Sequence, residues 1–264
     1  MNFLYKELRG IVELLRQCCF KNSNVLGFGI SDKDNAVIVE LLEYTDSVIE
    51  FFEESILDSD LIQFREGVKS CFQQTVRPGG RTGRTAAESN NNNGSSIAVR
   101  AQHPQLGSGF LVSGHSFTMN GNVFVGGTQV GRIGAIRVGG PTDAAFCVTT
   151  NHNNTTLSNQ LSQNTAITIS GVGLNAQNVT VWQAGFRTGV TQGTIAVTGW
   201  SEIIEGISFT NLVVASYHSL HGDSGGIIYR NGSNPRHALG IHIATNGRYG
   251  TIANANAALG TSLN

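Results

Sequence analysis

The chain has 264 residues, of which 40% are hydrophobic and only 13% are charged, and its formal net charge is −1. This composition excludes a largely disordered protein, because enough apolar side chains are present to form packed cores. The near-zero net charge also excludes a general electrostatic attraction to nucleic acid. No apolar segment reaches transmembrane length, and charges interrupt residues 1–19, so the sequence predicts neither a membrane span nor a signal peptide.

Charge and glycine content divide the chain into two parts. Residues 1–78 contain eight Lys/Arg, thirteen Asp/Glu and four glycines, whereas residues 79–264 contain nine Arg, no Lys, five Asp/Glu and 29 glycines. Two domains are therefore predicted, one acidic and one basic, and their opposite potentials would favour association.

The first part has the pattern of a small α+β domain, assigned to residues 1–76. Apolar residues recur at helical spacing over about residues 3–19. NVLGFGI and NAVIVELLE are typical of two strands joined by a polar turn. Thr45 or Asp46 can cap a helix through SVIEFFEES, and DLIQFREG is predicted to be a third strand.

Residues 77–96, RPGGRTGRTAAESNNNNGSS, are predicted to form a flexible linker. Gly, Asn, Ser and Thr dominate this stretch and no apolar period runs through it. Exposed segments of this kind are preferred sites of proteolysis, so the linker is also the expected processing region.

Residues 97–264 are predicted to form an all-β barrel or sandwich. Ten or more short runs rich in Val, Ile, Thr and Phe alternate with Gly and Asn turns, and only ANAALGTSL, near the end, has helical character. The four cysteines, Cys18, Cys19, Cys71 and Cys147, form no recognisable disulfide framework. Cys147 lies in the apolar run AAFCVTT and is predicted to be a buried thiol.

The stretch from Gly222 to Gly226, Gly-Asp-Ser-Gly-Gly, can present a hydroxyl on a tight turn. Such a serine becomes a nucleophile only beside a general base, which needs an orienting acid. In β-barrel hydrolases these residues occur in the order His, Asp, Ser. Since Asp223 belongs to the turn itself, Asp143 is the remaining aspartate of this part. His115, just past a strand, is favoured as base over His103, which precedes a proline.

These segments resemble the chymotrypsin-fold serine peptidases, most closely the bacterial streptogrisin and α-lytic protease branch. GFLVSGHS resembles the Gly-Phe-x-Thr-Ala-Gly-His-Cys stretch, PTDAAFCVT the Asp-Tyr-Ala stretch, and HGDSGG the nucleophile stretch. VWQAGFRTGVTQGTI resembles the segment Gly-x-x-Thr-Gly-x-x-x-Gly. The resemblance covers about residues 97–264 and implies a mainly β fold, a double β-barrel protease domain preceded by the small α+β domain. Ser116 replaces the family's cysteine, so that disulfide is absent.

The resemblance implies a serine endopeptidase in zymogen form, with catalytic His115, Asp143 and Ser224, and an acyl-enzyme on the serine. The backbone N–H groups of Gly222 and Ser224 would form the oxyanion hole. The first domain weakly resembles the pro-regions of these proteases, which assist folding and block the cleft. Its partner would then be the protease domain, and the substrates would be proteins or peptides. No cofactor or metal is predicted, and secretion is implied by the resemblance alone.

Substrate preference is predicted from Ser219 and His242. The resemblance places Ser219 at the pocket base and His242, in ALGIHIATNG, in the pocket wall, where glutamate-specific members also carry a histidine. Since charge-assisted hydrogen bonds are the stronger ones, these donors would favour an acidic residue before the cut, and self-cleavage after Glu88. A His242 facing outward from its strand would remove this preference. A small or apolar pocket would cut elsewhere, for instance after Ala86 or Ala87.

Two other classes of function remain open at this point. The altered residues around His115 are compatible with a pseudoprotease that acts as a binding module on the same fold. A structural β-protein with an acidic regulatory domain would share the composition and the charge division. Labelling of an active-site serine separates the enzyme from both.

Overall fold

The computed structural model describes residues 3–19, 23–67, 74–150, 154–232 and 234–263, without the side chains of Phe3 and Leu4. It divides into two compact units, residues 1–71 and 72–264, so the boundary lies ahead of the predicted one after residue 76. Cys71 lies outside the described residues, and the three described cysteines are free. No helix in the described ranges has the length and apolar character to cross a membrane.

The first unit is the predicted α+β domain. Its elements in chain order are α1 (Phe3–Cys18), β1 (Val25–Ser31), β2 (Ala36–Leu41), α2 (Asp46–Ser55) and β3 (Ile62–Glu66). The sheet has the order β1-β2-β3, in which β1 and β2 are antiparallel and β2 and β3 are parallel. The predicted helices and strands are thus confirmed, and Thr45 is the N-cap residue of α2 although its side chain makes no capping hydrogen bond.

The core of this unit lies between its helices and its sheet. Leu8 and Leu15 of α1 and Phe52 of α2 are buried with Val37 and Val39 of β2. Leu8, Ile11 and Leu15 recur at three or four residues on α1, and Val37 and Val39 recur at two on β2, which are the periods that place side chains on one face of each element.

The second unit has fifteen strands in the described ranges, with one α-helix near its end. The strands are β4 (Gln74–Val76), β5 (Arg81–Thr82), β6 (Ser95–His103), β7 (Gly107–Val112), β8 (Asn122–Val125), β9 (Thr128–Gly139), β10 (Thr142–Thr149), β11 (Thr155–Leu157), β12 (Ile169–Val172), β13 (Thr180–Gly185), β14 (Gly189–Ile204), β15 (Ile207–Ala215), β16 (Ile227–Tyr229), β17 (Arg236–Ala244) and β18 (Arg248–Thr251).

These fifteen strands form three sheets. β4 and β11 form a separate parallel pair, and the other strands form two larger sheets.

The first large sheet has the order β5-β6-β7-β10-β9-β8 and closes into a barrel. Closure is made by Gly83, which follows β5 and exchanges backbone hydrogen bonds with Phe124 of β8 at 3.0 and 2.9 Å. Thr82 adds a side-chain bond to the carbonyl of Phe124 at 3.0 Å. Residues 77–96 are therefore not the flexible linker that their composition predicts, because this stretch supplies the closing strand of the barrel and pairs with β6.

The second large sheet has the order β12-β17-β16-β13-β14-β15-β18, and β18 also pairs with β17. That extra pairing closes the sheet into a second barrel, with β12 attached in parallel to β17. Its long hairpin, β14 and β15, turns through Glu205 and Gly206, whose φ values are 49° and 82°. Two successive residues with positive φ are typical of the tight turn that suits the twist of a hairpin.

The predicted C-terminal helix is α3 (Ile252–Leu259). The Thr251 side chain caps it by accepting a hydrogen bond from the backbone of Asn254, and Gly260 ends it in a left-handed conformation. Two β-barrels preceded by a small α+β unit confirm the predicted fold class. They place the candidate residues on segments of both barrels.

Candidate active site

His115 and Asp143 are positioned by the first barrel and Ser224 by the second. His115 lies in the loop after β7, and Asp143 is the second residue of β10, which pairs with β7. Ser224 lies in the loop between β15 and β16. His115 and Ser224 together line two cavities, so the two barrels bring these side chains to one site.

Both oxygens of Asp143 hold His115, one through its side chain and the other through its backbone. Nδ1 of His115 lies 2.6 Å from Oδ2, and Oδ1 accepts the backbone N–H of His115 at 2.8 Å. Asp143 is 1% exposed, so the carboxylate acts in a dry environment. A Cβ at Gly114 would lie 2.9 Å from Oδ1, which explains a glycine beside the histidine. With Asp143 ionised, the proton resides on Nδ1 and leaves Nε2 free to accept one.

The pKa of His115 is raised above its ordinary value of 6.5. Burial alone would lower this pKa, because it disfavours the imidazolium. The hydrogen bond and negative charge of Asp143, with a smaller contribution from the charge of Glu205, more than offset the effect of burial. A base activity of His115 would therefore be lost as pH falls through this raised pKa.

The hydroxyl of Ser224 donates to the backbone carbonyl of Ile243 at 3.1 Å and makes no hydrogen bond with His115. A catalytic serine must turn toward the base, and such contacts are often loose in a site without substrate. The loop is fixed just beyond the hydroxyl. Gly225 has φ +86°, and a Cβ there would lie 2.3 Å from the carbonyl oxygen of Ser96, so only glycine fits.

The predicted oxyanion donors are backbone groups of the same loop, in which Gly222 is buried and Ser224 is half-buried. Gly222 has φ +104°, and neither its N–H nor that of Ser224 has a hydrogen-bond acceptor within the described part of the chain. Unpaired N–H groups on a rigid turn can receive a developing negative charge without reorganisation. Their role in an oxyanion hole stays a prediction.

Asp223 anchors the loop that carries Ser224 to the turn between β13 and β14. One carboxylate oxygen accepts the backbone N–H groups of Arg187 and Thr188 at 3.0 and 3.1 Å. The other accepts the Thr188 hydroxyl and the backbone N–H of Leu220, both at 2.8 Å. Four donors satisfy this fully buried carboxylate. Asp223 thus has a structural role that is distinct from that of Asp143.

A chain of hydroxyl groups links the two barrels behind the site. Ser95 donates to the backbone carbonyl of Ser224 at 2.6 Å and lies 3.0 Å from the Ser113 hydroxyl. Ser113 in turn donates to Ser116 at 2.6 Å. Ser116 is the residue that replaces the cysteine of the resembled family. The sequence did not reveal this series of hydroxyl groups, because its members come from three separate segments.

The two predicted pocket residues are both buried, and they differ in access to the site. Nδ1 of His242 lies 2.9 Å from the Tyr217 hydroxyl. The His242 side chain lines one cavity together with Ser224. Burial lowers the pKa of His242 to about 4, so the ring is neutral at pH 7. Ser219 lines neither cavity that contains Ser224, and its hydroxyl is buried without a hydrogen-bond partner. The structure therefore does not place Ser219 at the base of an open pocket.

The cavity beside His242 has a volume of about 250 Å³. Its wall is mainly apolar and includes Ile204, Ile207, Phe209, Leu220 and Ile243. Its one carboxylate among the described residues is Glu205, at the tip of the β14–β15 hairpin. The sequence contains the signal for this turn, Glu-Gly between two runs of β-type residues, but nothing in it indicates that the tip reaches His115.

The second cavity, of about 200 Å³, is also lined by His115 and Ser224. Gly94 and Gly222 line it together with Arg84 and Glu88, which form an ion pair at 2.7 Å. The predicted cleavage position therefore lies beside the site in a folded turn. Ser89, the next residue, is buried and its hydroxyl accepts the N–H of Gly127 at 2.9 Å.

His103 is not part of the candidate site. Its Nδ1 accepts the backbone N–H groups of Gln105 and Leu106, both at 3.1 Å, and its ring stacks on Phe146. These contacts fix a turn at the end of β6, away from the two cavities that contain Ser224.

Residues 6–67 match the family model described as "Pro-like C-terminal domain", which falls within the first unit. No curated protein sequence matches the chain.

Solved structures match about 72% of the chain. Thermobifida fusca Protease A has a TM-score of 0.60 at 19% identity over 98% of its own length. Nocardiopsis Protease has a TM-score of 0.60 at 21% identity over 99%. A glutamic acid specific serine protease, described as using a histidine triad in substrate binding, has a TM-score of 0.59 at 21% identity over 100%. The chain thus combines a segment that matches a Pro-like C-terminal domain with the fold of bacterial chymotrypsin-like serine proteases.

Proposed function

We propose that the protein is a serine endopeptidase, with Ser224 as nucleophile, His115 as general base and Asp143 as orienting acid. The observation that carries the proposal is the His115–Asp143 contact at 2.6 Å beside a cavity that Ser224 also lines. The fold supports it, since the similar structures are proteases. Fold alone does not establish chemistry, so the geometry of the site carries the proposal.

In the proposed reaction, a peptide carbonyl lies above Ser224 and the hydroxyl leaves the Ile243 carbonyl to face His115. Nε2 takes the proton of the hydroxyl as Oγ attacks the carbonyl carbon, and Asp143 stabilises the imidazolium. The same proton passes to the leaving amine, whose departure leaves an ester on Ser224. Water, deprotonated by His115, then hydrolyses the ester, and the enzyme is regenerated.

The N–H groups of Gly222 and Ser224 would bind the oxygen that becomes negative during each attack. Their loop is fixed from one side by Asp223 and from the other by the Ser95 hydroxyl and the Ser96 backbone, which bonds the Ser224 carbonyl at 2.8 Å. A loop held in this way lets the donors act without being reoriented, and the loss of one donor typically costs about 10²–10³-fold in kcat.

The first unit is proposed to be a pro-region that assists folding or inhibits the second unit. The match of residues 6–67 and the acidic charge of this part support the assignment. Cleavage after Glu88 would have to open a folded turn, break the ion pair with Arg84 and expose Ser89. We therefore place release of the first unit ahead of β4, near the boundary between residues 71 and 72.

Labelling with an aryl phosphonate tests the enzyme claim. We expect the full chain and a chain of residues 72–264 to gain one phosphonyl group on Ser224, as peptide mass mapping would show. Ser224→Ala should remove the label and Ser208→Ala, a change at an exposed serine, should retain it. Unlabelled protein in both lengths would instead favour a binding module, consistent with a hydroxyl that stays bonded to Ile243.

A preference for glutamate before the cut is proposed from His242. Its ring lines the cavity beside Ser224, and the similar glutamic acid specific protease uses histidines in substrate binding. We expect kcat/KM for a Glu substrate to exceed that for the Gln analogue by about 10–100-fold, which corresponds to one charge-assisted hydrogen bond. His242→Gln should remove most of this ratio.

The control for this test is Tyr217→Phe, which frees Nδ1 of His242 without removing the ring. The preference for Glu should persist in that variant. Because the wall of the cavity is mainly apolar, the competing expectation is a preference for Leu. The proposal would be contradicted if the wild-type enzyme cleaved Leu substrates faster than Glu substrates and His242→Gln left the ratio of their kcat/KM values unchanged.

A further inference from the structure

A third cavity of the second unit, of about 340 Å³, contains none of the triad residues. It lies where the segment between β4 and β5 meets the turn after β13. Its polar lining comes from two arginines, three hydroxyl groups and two amides: Arg77, Arg81, Thr75, Ser89, Ser162, Gln74 and Gln163. The proposed peptidase reaction does not use this cavity.

Among the residues that the structure describes, neither arginine of this cavity has a carboxylate partner. There, Arg77 donates to the neutral side chains of Ser158 and Gln160, at 3.3 and 2.6 Å. The side chain of Arg81 is half-buried, and its Nε is buried without a hydrogen-bond partner among the described residues. A buried N–H donor without an acceptor costs free energy, which a bound anion would recover.

No Asp or Glu lines this cavity within the described residues. Glu88, in the adjoining turn, is paired with Arg84 at 2.7 Å, and the charge of this part of the chain is positive. The guanidinium is a planar, permanently charged donor that matches the geometry of carboxylate and phosphate groups. The cavity therefore has the chemistry of an oxyanion site.

Arg81 also connects the cavity to the nucleophile loop through Phe186. Its guanidinium carbon lies 4.6 Å from the centre of the Phe186 ring. The same ring packs against Gly222, since a Cβ there would lie 3.0 Å from it. The backbone N–H of Phe186 donates to the Ser96 hydroxyl, and this hydroxyl donates to the Gly222 carbonyl, both at 3.0 Å.

We propose that this cavity binds an oxyanion, a carboxylate, sulfate or phosphate group, on Arg81 and Arg77. Occupancy fixes Arg81 over Phe186 and thereby restrains Gly222. Binding itself does not depend on the proposed peptidase activity. Only the effect on catalysis through Gly222 rests on the proposed function, so the two are measured separately.

Thermal unfolding of the full chain with Ser224→Ala measures binding without self-cleavage. Sulfate, phosphate and citrate are compared with chloride at equal ionic strength. At a 100-fold excess over Kd we expect the Tm to rise by about 5–10 °C. Arg81→Gln should abolish the rise, and Arg77→Gln should reduce it.

The matched control is Arg132→Gln, which removes an exposed arginine of β9 that does not line the cavity. It should show the same rise as the parent chain. An equal rise in all the arginine variants would show a general salt effect and would overturn the site.

Catalytic coupling is tested with the serine restored. We expect sulfate to raise kcat for peptide hydrolysis, with little change in KM, in the chain with Arg81 but not in Arg81→Gln. An unchanged kcat together with a retained Tm rise would overturn the coupling through Gly222 while leaving the binding site in place.

A carboxylate of the substrate and a free anion could both bind to the two arginines. One pair of peptides distinguishes these two ligands. Peptides with Glu or Ala downstream of the scissile bond are compared in the presence of sulfate. A rise in KM for the Glu peptide alone identifies the site as one for substrate side chains. Equal KM values with a retained Tm rise identify a site for free anions.

Discussion

Replacing Ser224 with Ala is expected to lower kcat for peptide hydrolysis by about 10⁶-fold, the loss seen when a triad member is removed from a serine peptidase. The fold should be retained, because the hydroxyl makes a single hydrogen bond, to the carbonyl of Ile243. Steady-state hydrolysis of a peptide library, with thermal unfolding as a parallel measurement, gives both results.

The control for this experiment is the pair of variants His115→Ala and His115→Ala with Ser224→Ala. Since the base and nucleophile act as one unit, the double change should cost about as much as either single change. Losses that multiply would show that the two residues are not partners. A large fall in Tm in Ser224→Ala would assign the hydroxyl to stability and weaken the catalytic proposal.

Asp143→Asn is expected to lower kcat by about 10⁴-fold. The amide can still accept the backbone N–H of His115 through its oxygen, but its NH₂ would face Nδ1. That arrangement favours the tautomer with the proton on Nε2, the atom that must accept one from Ser224. Hydrolysis rates at the pH optimum of each chain provide the measurement.

The pH profile of the same variant gives a second readout. Asp143 raises the pKa of His115, whereas burial lowers it. Without the carboxylate, burial prevails and the pKa falls, so the acid limb of kcat/KM should move to lower pH. Glu205→Gln, which removes a smaller contribution, should shift the limb less and leave kcat nearly unchanged. An acid limb that does not move in Asp143→Asn would contradict His115 as the base.

Local patterns predicted most elements of both units. The periods of apolar residues identified α1, the strands β1 to β3 and the helix near residue 255, because burial in each is decided by neighbours in sequence. The stretch 77–96 was not predictable in this way. Its ordered part is held by Gly83 and Phe124, which are far apart in sequence, and polar composition alone does not reveal such a pairing.

The candidate site shows the same division. The tight glycine turn around Ser224 and the order of His115 and Asp143 could be found from the sequence. The contribution of Glu205 and the hydroxyl bond from Ser95 to Ser224 could not. The latter joins residues 129 positions apart, and its partners have no local pattern that distinguishes them from other serines.

The closing strand of the first barrel comes from the beginning of the second unit and pairs with residues about forty positions later. During synthesis this segment leaves the ribosome before β6 and β8, and the barrel cannot close until β8 has followed. Pairing between distant segments is slow, and unpaired strand edges in partly formed sheets favour aggregation. A protein segment that bound the unpaired edges early and assisted folding would therefore benefit the first barrel. For the same reason, a recombinant protein started at residue 97 would lack the strand that seals the barrel and would expose the edges of β6 and β8.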